Sequence, residues 1–200
     1  IHIAEALTNA SPEQAEELVD WITTSYPEQF TNIIVAIANS MPDNGIRVME
    51  LAAENMSAED PKGLLDMTEQ YMTELSVSLD EMRPVDRSAA GSEQIASELY
   101  SRLSDVSPEY SAELALTVSE ALPESSNVIA EAYLHNLIES ENKQNNSIDA
   151  IENIENAVND YLTHIVENIP EYAVDIAGTI VDSVPDVASE MVTLLQDSEA

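Results

Sequence analysis

Three histidines, His2, His135 and His164, are the side chains best suited to hold a metal or move a proton near neutral pH. Glu131 and Glu139 lie four residues either side of His135, and Asp160 lies four before His164. On a helix that spacing places donors on one face, as a metal site requires. Acids are so frequent here, however, that a carboxylate within four residues of a histidine is expected without any site. The acidic face is the sharper candidate. Glu13, Glu17 and Asp20 share one arc, as do Glu109 and Glu113, or Glu124 and Glu131. Stacked helices would align them into carboxylate ladders able to collect Ca²⁺ or Mg²⁺ weakly. A solvated face that keeps the protein soluble explains the same acids and is the favoured reading. Carboxylate count alone does not argue for general acid–base chemistry.

Motifs with a built-in mechanism are missing. The chain has no GxGxxG, GxxxxGK[ST], GxSxG or HExxH and no EF-hand loop. Gly45, Gly63, Gly91 and Gly178 are its only glycines, so it has no glycine-rich phosphate loop. Without cysteine it has no disulfide, thiolate metal site or cysteine nucleophile. No residue is assigned a catalytic, cofactor-binding or metal-ligating role, and the expectation is a non-enzymatic protein.

The elements that would carry these side chains come from an internal repeat. Prolines stand 15 residues apart at Pro12, Pro27 and Pro42, then at Pro108 and Pro123, then at Pro170 and Pro185. Each is followed by an acid: Glu13, Glu28, Asp43, Glu109, Glu124, Glu171 and Asp186. Counting each proline as zero, positions +3, +6, +7, +10 and +14 fall on one arc of a helical wheel and are mostly apolar. Position +10, for example, is Ile22, Ile37, Ala52, Val118, Tyr133, Ile180 and Leu195. Positions +1, +5, +8 and +12 lie opposite and are mostly polar. Proline suits the first helical position, and the acid after it meets the positive end of the helix dipole. Proline also drives the preceding residue out of the helical region, so each helix must end by about +13. Ser11 and Ser107 are the expected N-caps. Tyr26, Met41, Leu122, Ile169 and Val184 cannot cap and are expected to tuck into the core.

Each segment has too few apolar side chains to offset the entropy of ordering it alone, so it needs neighbours. The predicted fold is all-α: an α-solenoid of short antiparallel helices on a 15-residue single-helix repeat, paired into 30-residue hairpins. The pattern resembles HEAT-like helical repeats, a likeness of architecture only. Pro61 opens a longer helix running toward Met82. Zeros at Glu93 and Glu155 fit the register, the second in a helix starting near Ser147. Ala4 and Leu7 match the last turns of a further unit. Irregular breaks are expected near 83–92 and 140–147. Residues 1–200 thus read as one array, expected to be a fragment or processed part of a longer repeat protein. Trp21, Phe30 and the seven tyrosines are expected in core or junction packing. The run Ile33–Ala38, apolar nearly all round, predicts a helix covered on both sides.

The net charge of −33 arises from 39 acids against Arg47, Lys62, Arg83, Arg87, Arg102 and Lys143. So anionic a surface repels phosphate backbones and anionic lipid, and no segment has the apolar length of a membrane span. The expected partners are proteins, including copies of the chain itself, with no nucleic acid and no membrane insertion. The function expected is an acidic structural or interaction scaffold, self-associating end to end, with a secreted or cell-surface location. The alternative is a binding module whose acidic face holds divalent cations or a basic protein.

Overall fold

The computed structural model describes residues 12–41, 44–56, 61–81, 89–143 and 149–185. The described residues form nine α-helices and no strand. They are α1 (Pro12–Ser25), α2 (Phe30–Asn39), α3 (Gly45–Asn55), α4 (Pro61–Glu81) and α5 (Ala89–Val106). There follow α6 (Ser111–Ala121), α7 (Ser126–Lys143), α8 (Asp149–Asn168) and α9 (Ala173–Ser183). The all-helical expectation holds.

Pro12 and Pro61 stand at the first residue of α1 and α4 as expected, but four other prolines act one step earlier than the sequence pattern implies. Pro27, Pro108, Pro123 and Pro170 each open a three-residue 3₁₀ turn, and the α-helix begins only after it. The residue before each proline adopts nearly one conformation: φ −137°, ψ 52° at Tyr26; −134°, 69° at Ser107; −138°, 72° at Leu122; −135°, 58° at Ile169. This is the exclusion from the helical region that proline imposes on its predecessor. Ser107 is therefore not a side-chain cap, contrary to expectation: its hydroxyl makes no capping bond. Its carbonyl instead accepts from the Tyr110 N–H at 3.1 Å. Equivalent bonds run from Gln29 to Tyr26, Ser125 to Leu122 and Tyr172 to Ile169 at 2.9–3.0 Å. Ser11, the other expected cap, lies outside the described residues.

The expected helix ends are found: α1, α6 and α9 stop at Ser25, Ala121 and Ser183, each at +13 from the preceding proline. The breaks are shorter than expected. Ala89–Ser92 already belongs to α5, because alanine is a strong helix former and Ser92 finds a buried place. Likewise α7 runs through Lys143, since an exposed polar run needs no apolar periodicity to remain helical. Residues 82–88 and 144–148 lie outside the described residues, as do Ala4, Leu7 and the segment after Pro185.

Packing follows chain order. The helices one place apart meet at α1–α2, α2–α3 and along α5 to α9. Those two places apart meet throughout: α1–α3, α2–α4, α3–α5, α4–α6, α5–α7, α6–α8 and α7–α9. Odd helices therefore contact odd, and even contact even, with one continuous apolar core between. The apolar arc supplies that core. Positions +7 and +10 are buried in every described repeat: Val19, Ile34, Met49, Ala115, Ala130 and Ala177, then Ile22, Ile37, Ala52, Val118, Tyr133 and Ile180. In α2, Ile34, Val35, Ile37 and Ala38 are all buried, as a helix covered on more than one side requires. Met41, Leu122 and Ile169 tuck in before or after their turns, but Tyr26 does not. Trp21 and Tyr26 correct the expected core placement, standing 48% and 45% exposed in an edge-to-face pair with centroids 5.5 Å apart.

Position +3 sets how closely helices approach. Where other units carry Phe30, Ser126 or Ala173, the third has buried Gly45. A Cβ there would stand 2.6 Å from the Ala38 carbonyl oxygen and 2.9 Å from the Tyr71 hydroxyl. Gly178, in contrast, faces open space on α9. The two glycines predict opposite outcomes in denaturant titrations. Gly45→Ala should cost about 1–3 kcal/mol through overpacking, and Gly178→Ala should gain about 0.5–1 kcal/mol through helix propensity. Equal effects of the two substitutions on the unfolding midpoint would refute this account of the α2–α3 approach.

Candidate functional site

The polar groups that interact are organised across the helix stack. Arg102 on α5 donates from Nη1 to Glu50 Oε2 on α3 at 2.9 Å and from Nη2 to Glu98 Oε1 at 3.0 Å. Arg47 reaches Glu50 Oε1 from the other side at 2.9 Å. Burial tends to raise the Glu50 pKa, but the hydrogen bonds and charges of Arg47 and Arg102 outweigh it and hold the carboxyl below the usual glutamate range. Two of the six cations are thus committed to one carboxylate.

A second network lines the core between α5 and α8. Tyr100, Tyr133 and Tyr161 are all at least 96% buried. The rings of Tyr133 and Tyr161 lie 5.0 Å apart at 34°. The Tyr100 hydroxyl bonds Ser111 Oγ at 2.7 Å, and the Tyr161 hydroxyl bonds Ser119 Oγ at 3.1 Å. Asn136 on α7 donates to Ser104 Oγ on α5 at 2.9 Å. Burial raises all three phenols, because desolvation disfavours phenolate. Tyr133 is pushed up to about 12, with Tyr100, Glu113 and Asp160 adding repulsion.

This network opens to solvent through a cleft of about 460 Å³ where α5, the following 3₁₀ turn, α6 and α7 meet. Ser104, Asp105, Glu109, Ser111, Tyr133 and Asn136 are among the residues that line it. It is the candidate site. A hollow of about 420 Å³ between α5, α7 and α9 includes Val128, Glu131, Ala132 and His135.

The residues singled out by spacing are dispersed. His135 is 73% exposed with Glu139 Oε1 at 3.5 Å, so one of its two predicted acidic neighbours pairs with it. Glu131 shares only the hollow. His164 meets Glu120 on α6, at 2.6 Å, rather than Asp160 on its own helix. His2 lies outside the described residues. Glu17, Asp20, Glu109, Glu113, Glu124 and Glu131 are exposed. Among the described residues no three His, Asp or Glu side chains converge in a metal-holding group, and no helix is long and apolar enough to cross a membrane. The Arg102–Glu50 and Tyr161–Ser119 pairs went unmarked in the sequence because their partners stand 52 and 42 positions apart. One signal was present: serine at +11, in Ser104 and Ser119, facing units that carry tyrosine on the apolar arc.

Searches of protein-family models, of characterised proteins and of solved structures match nothing to this chain.

Two titrations follow. Because the Glu50 pKa is depressed, its stabilisation is present above the ordinary glutamate range and lost as pH falls through the lowered value. Arg102→Gln should destabilise by about 1 kcal/mol at neutral pH, and the deficit against the parent should shrink in acid. An unchanged deficit at low pH would count against the Glu50 pairing. For Tyr133 the raised pKa makes the folded state fully favoured below the unfolded tyrosine value, and that advantage is lost as pH rises toward about 12. Phenolate absorbance should show this tyrosine ionising later in the folded chain than in denaturant, and Tyr133→Phe should reduce the late component by one tyrosine, leaving the share of Tyr100 and Tyr161. A spectrum with no late component in the parent would contradict its burial.

Proposed function

We propose that the chain is a non-enzymatic scaffold, an acidic α-solenoid of short antiparallel helices on a 15-residue repeat that associates end to end with copies of itself. The observation that carries the architectural half is the packing order, in which every described helix rests on the helix two places along. Such nearest-neighbour stacking is how repeat proteins build a core that no single unit could form. The recurring pre-proline conformation supports the same reading, since one backbone junction is reused at four places along the chain.

Self-association is supported by three of the four large apolar groups exposed among the described residues, the fourth being Val77 on α4. Trp21 and Tyr26 stand on and just after the first described helix, and Val174, 65% exposed, stands on the last. A heterologous contact between two such faces would extend the stack rather than close it. The charge of −33 opposes this contact, so salt should strengthen it by screening repulsion.

Light scattering coupled to size exclusion tests the proposal. The mean mass should rise with protein concentration and with salt, and Trp21→Ser combined with Val174→Asp should abolish the rise without loss of helical circular dichroism. A monodisperse monomer at all concentrations and salt levels would sink self-association while leaving the solenoid reading intact.

A further inference from the structure

We propose that the cleft between α5, α6 and α7 binds the arginine side chain of a basic protein partner. The inference deepens the alternative of an acidic binding module and does not depend on end-to-end association. Four observations converge on a guanidinium.

The first is the donor and acceptor balance of the walls. Among the described residues no lysine, arginine or histidine lines the cleft, while the Asp105 and Glu109 carboxylates do. A planar guanidinium carries five N–H donors and no acceptor, so it suits walls rich in oxygen.

The second is an unused group inside. Tyr133 is 96% buried and forms part of the wall. Tyr100 and Tyr161 both spend their hydroxyls on serines. The Tyr133 hydroxyl takes no hydrogen bond from a described side chain and is not sealed from solvent, so it faces the cleft. An arriving N–H donor would take the place of solvent at that hydroxyl.

The third is preorganisation. Asn136 donates its amide to Ser104 Oγ, which directs its own proton to the Ser101 carbonyl. Ser111 is held by Tyr100. The polar wall is therefore fixed before a ligand arrives, which lowers the ordering cost of binding.

The fourth is the field. Ser104 and Asp105 occupy the last turn of α5, whose carbonyl end is the negative pole of the helix dipole and favours a cation, while the Glu109 carboxylate offsets the positive pole at the start of α6 on the same cleft. The charge of −33 draws cations toward the surface and disfavours anionic ligands. Arginine is weakly hydrated compared with lysine and loses less on entering a half-buried cleft.

Acetyl-arginine amide, titrated into the full chain and followed by backbone amide NMR shifts, is the direct test. Shifts should concentrate at residues 104–112 and 133–140, and the neutral isostere acetyl-citrulline amide should produce none there. The double variant Asp105→Asn, Glu109→Gln alters exposed side chains and should weaken binding at least about tenfold, as loss of charge-assisted hydrogen bonds predicts. Tyr133→Phe should weaken it about threefold, the scale of one neutral hydrogen bond. Glu17→Gln with Asp20→Asn on α1 removes the same charge elsewhere and should change little. If the α1 variant weakens binding as much as the cleft variant, the attraction is only the general field and the proposal fails. Equal binding of citrulline, shifts scattered over the surface, or no shift at all would overturn it as well.

Discussion

The structure depends on what the backbone does in the residue before each proline. Tyr26, Ser107, Leu122 and Ile169 are all driven to φ near −135° with ψ between 52° and 72°. In that conformation the residue closes the helix behind it through its own N–H and opens the next turn through its carbonyl. Leu122, for example, donates to Val118 O at 3.0 Å and accepts from Ser125 N–H at 2.9 Å. Val184, before Pro185, shows the same φ and ψ and donates to Ile180 O at 2.7 Å. A junction that satisfies both helices with backbone groups alone can be reused wherever proline recurs, whatever side chain stands before it.

That indifference explains how far the fold was legible. Proline spacing and the apolar arc marked helix ends and core positions, because both act locally. Tyr26 shows where local reasoning stops. It holds the junction position of Leu122 and Ile169, yet it is exposed beside Trp21. Junction backbone is set by the proline, but burial of the side chain depends on which helices stand over it. Gly45 makes the same point from the other direction. Its place at +3 is legible, but the carbonyl of Ala38 and the hydroxyl of Tyr71 that forbid a side chain belong to helices on either side.

The candidate site was barely legible for the same reason. His164 has an acid four residues before it on its own helix, and spacing alone nominates Asp160. The stack instead brings Glu120 from α6 to 2.6 Å. Contacts between helices two places apart join residues 32 to 52 positions distant, as in Asn136 with Ser104 and Arg102 with Glu50. In a chain with 39 acids, almost any helical register yields a plausible carboxylate pair. Spacing arguments are therefore weakest where the composition is most biased.

The junction also accounts for a chain with so few cations remaining folded. Lysine or arginine near a helix C-terminus commonly offsets the negative pole of the dipole. Eight of the nine described helices have no basic residue in the last turn. Their late carbonyls draw on the backbone N–H of the junction residue instead: Tyr26 to Ile22 O, Leu122 to Val118 O, Ile169 to Ile165 O and Val184 to Ile180 O. At the N-terminal turns, Glu28, Glu109, Glu124 and Glu171 take the place where negative charge is favourable. Acids thus stabilise one end of these units while backbone N–H groups serve the other. Relieved of capping, Arg47 and Arg102 are free to bridge Glu50, the most enclosed carboxylate of the ion-paired acids. The same arrangement leaves the outer acids without internal partners of opposite charge in sufficient number, so their neutralisation has to come from solution or from another protein.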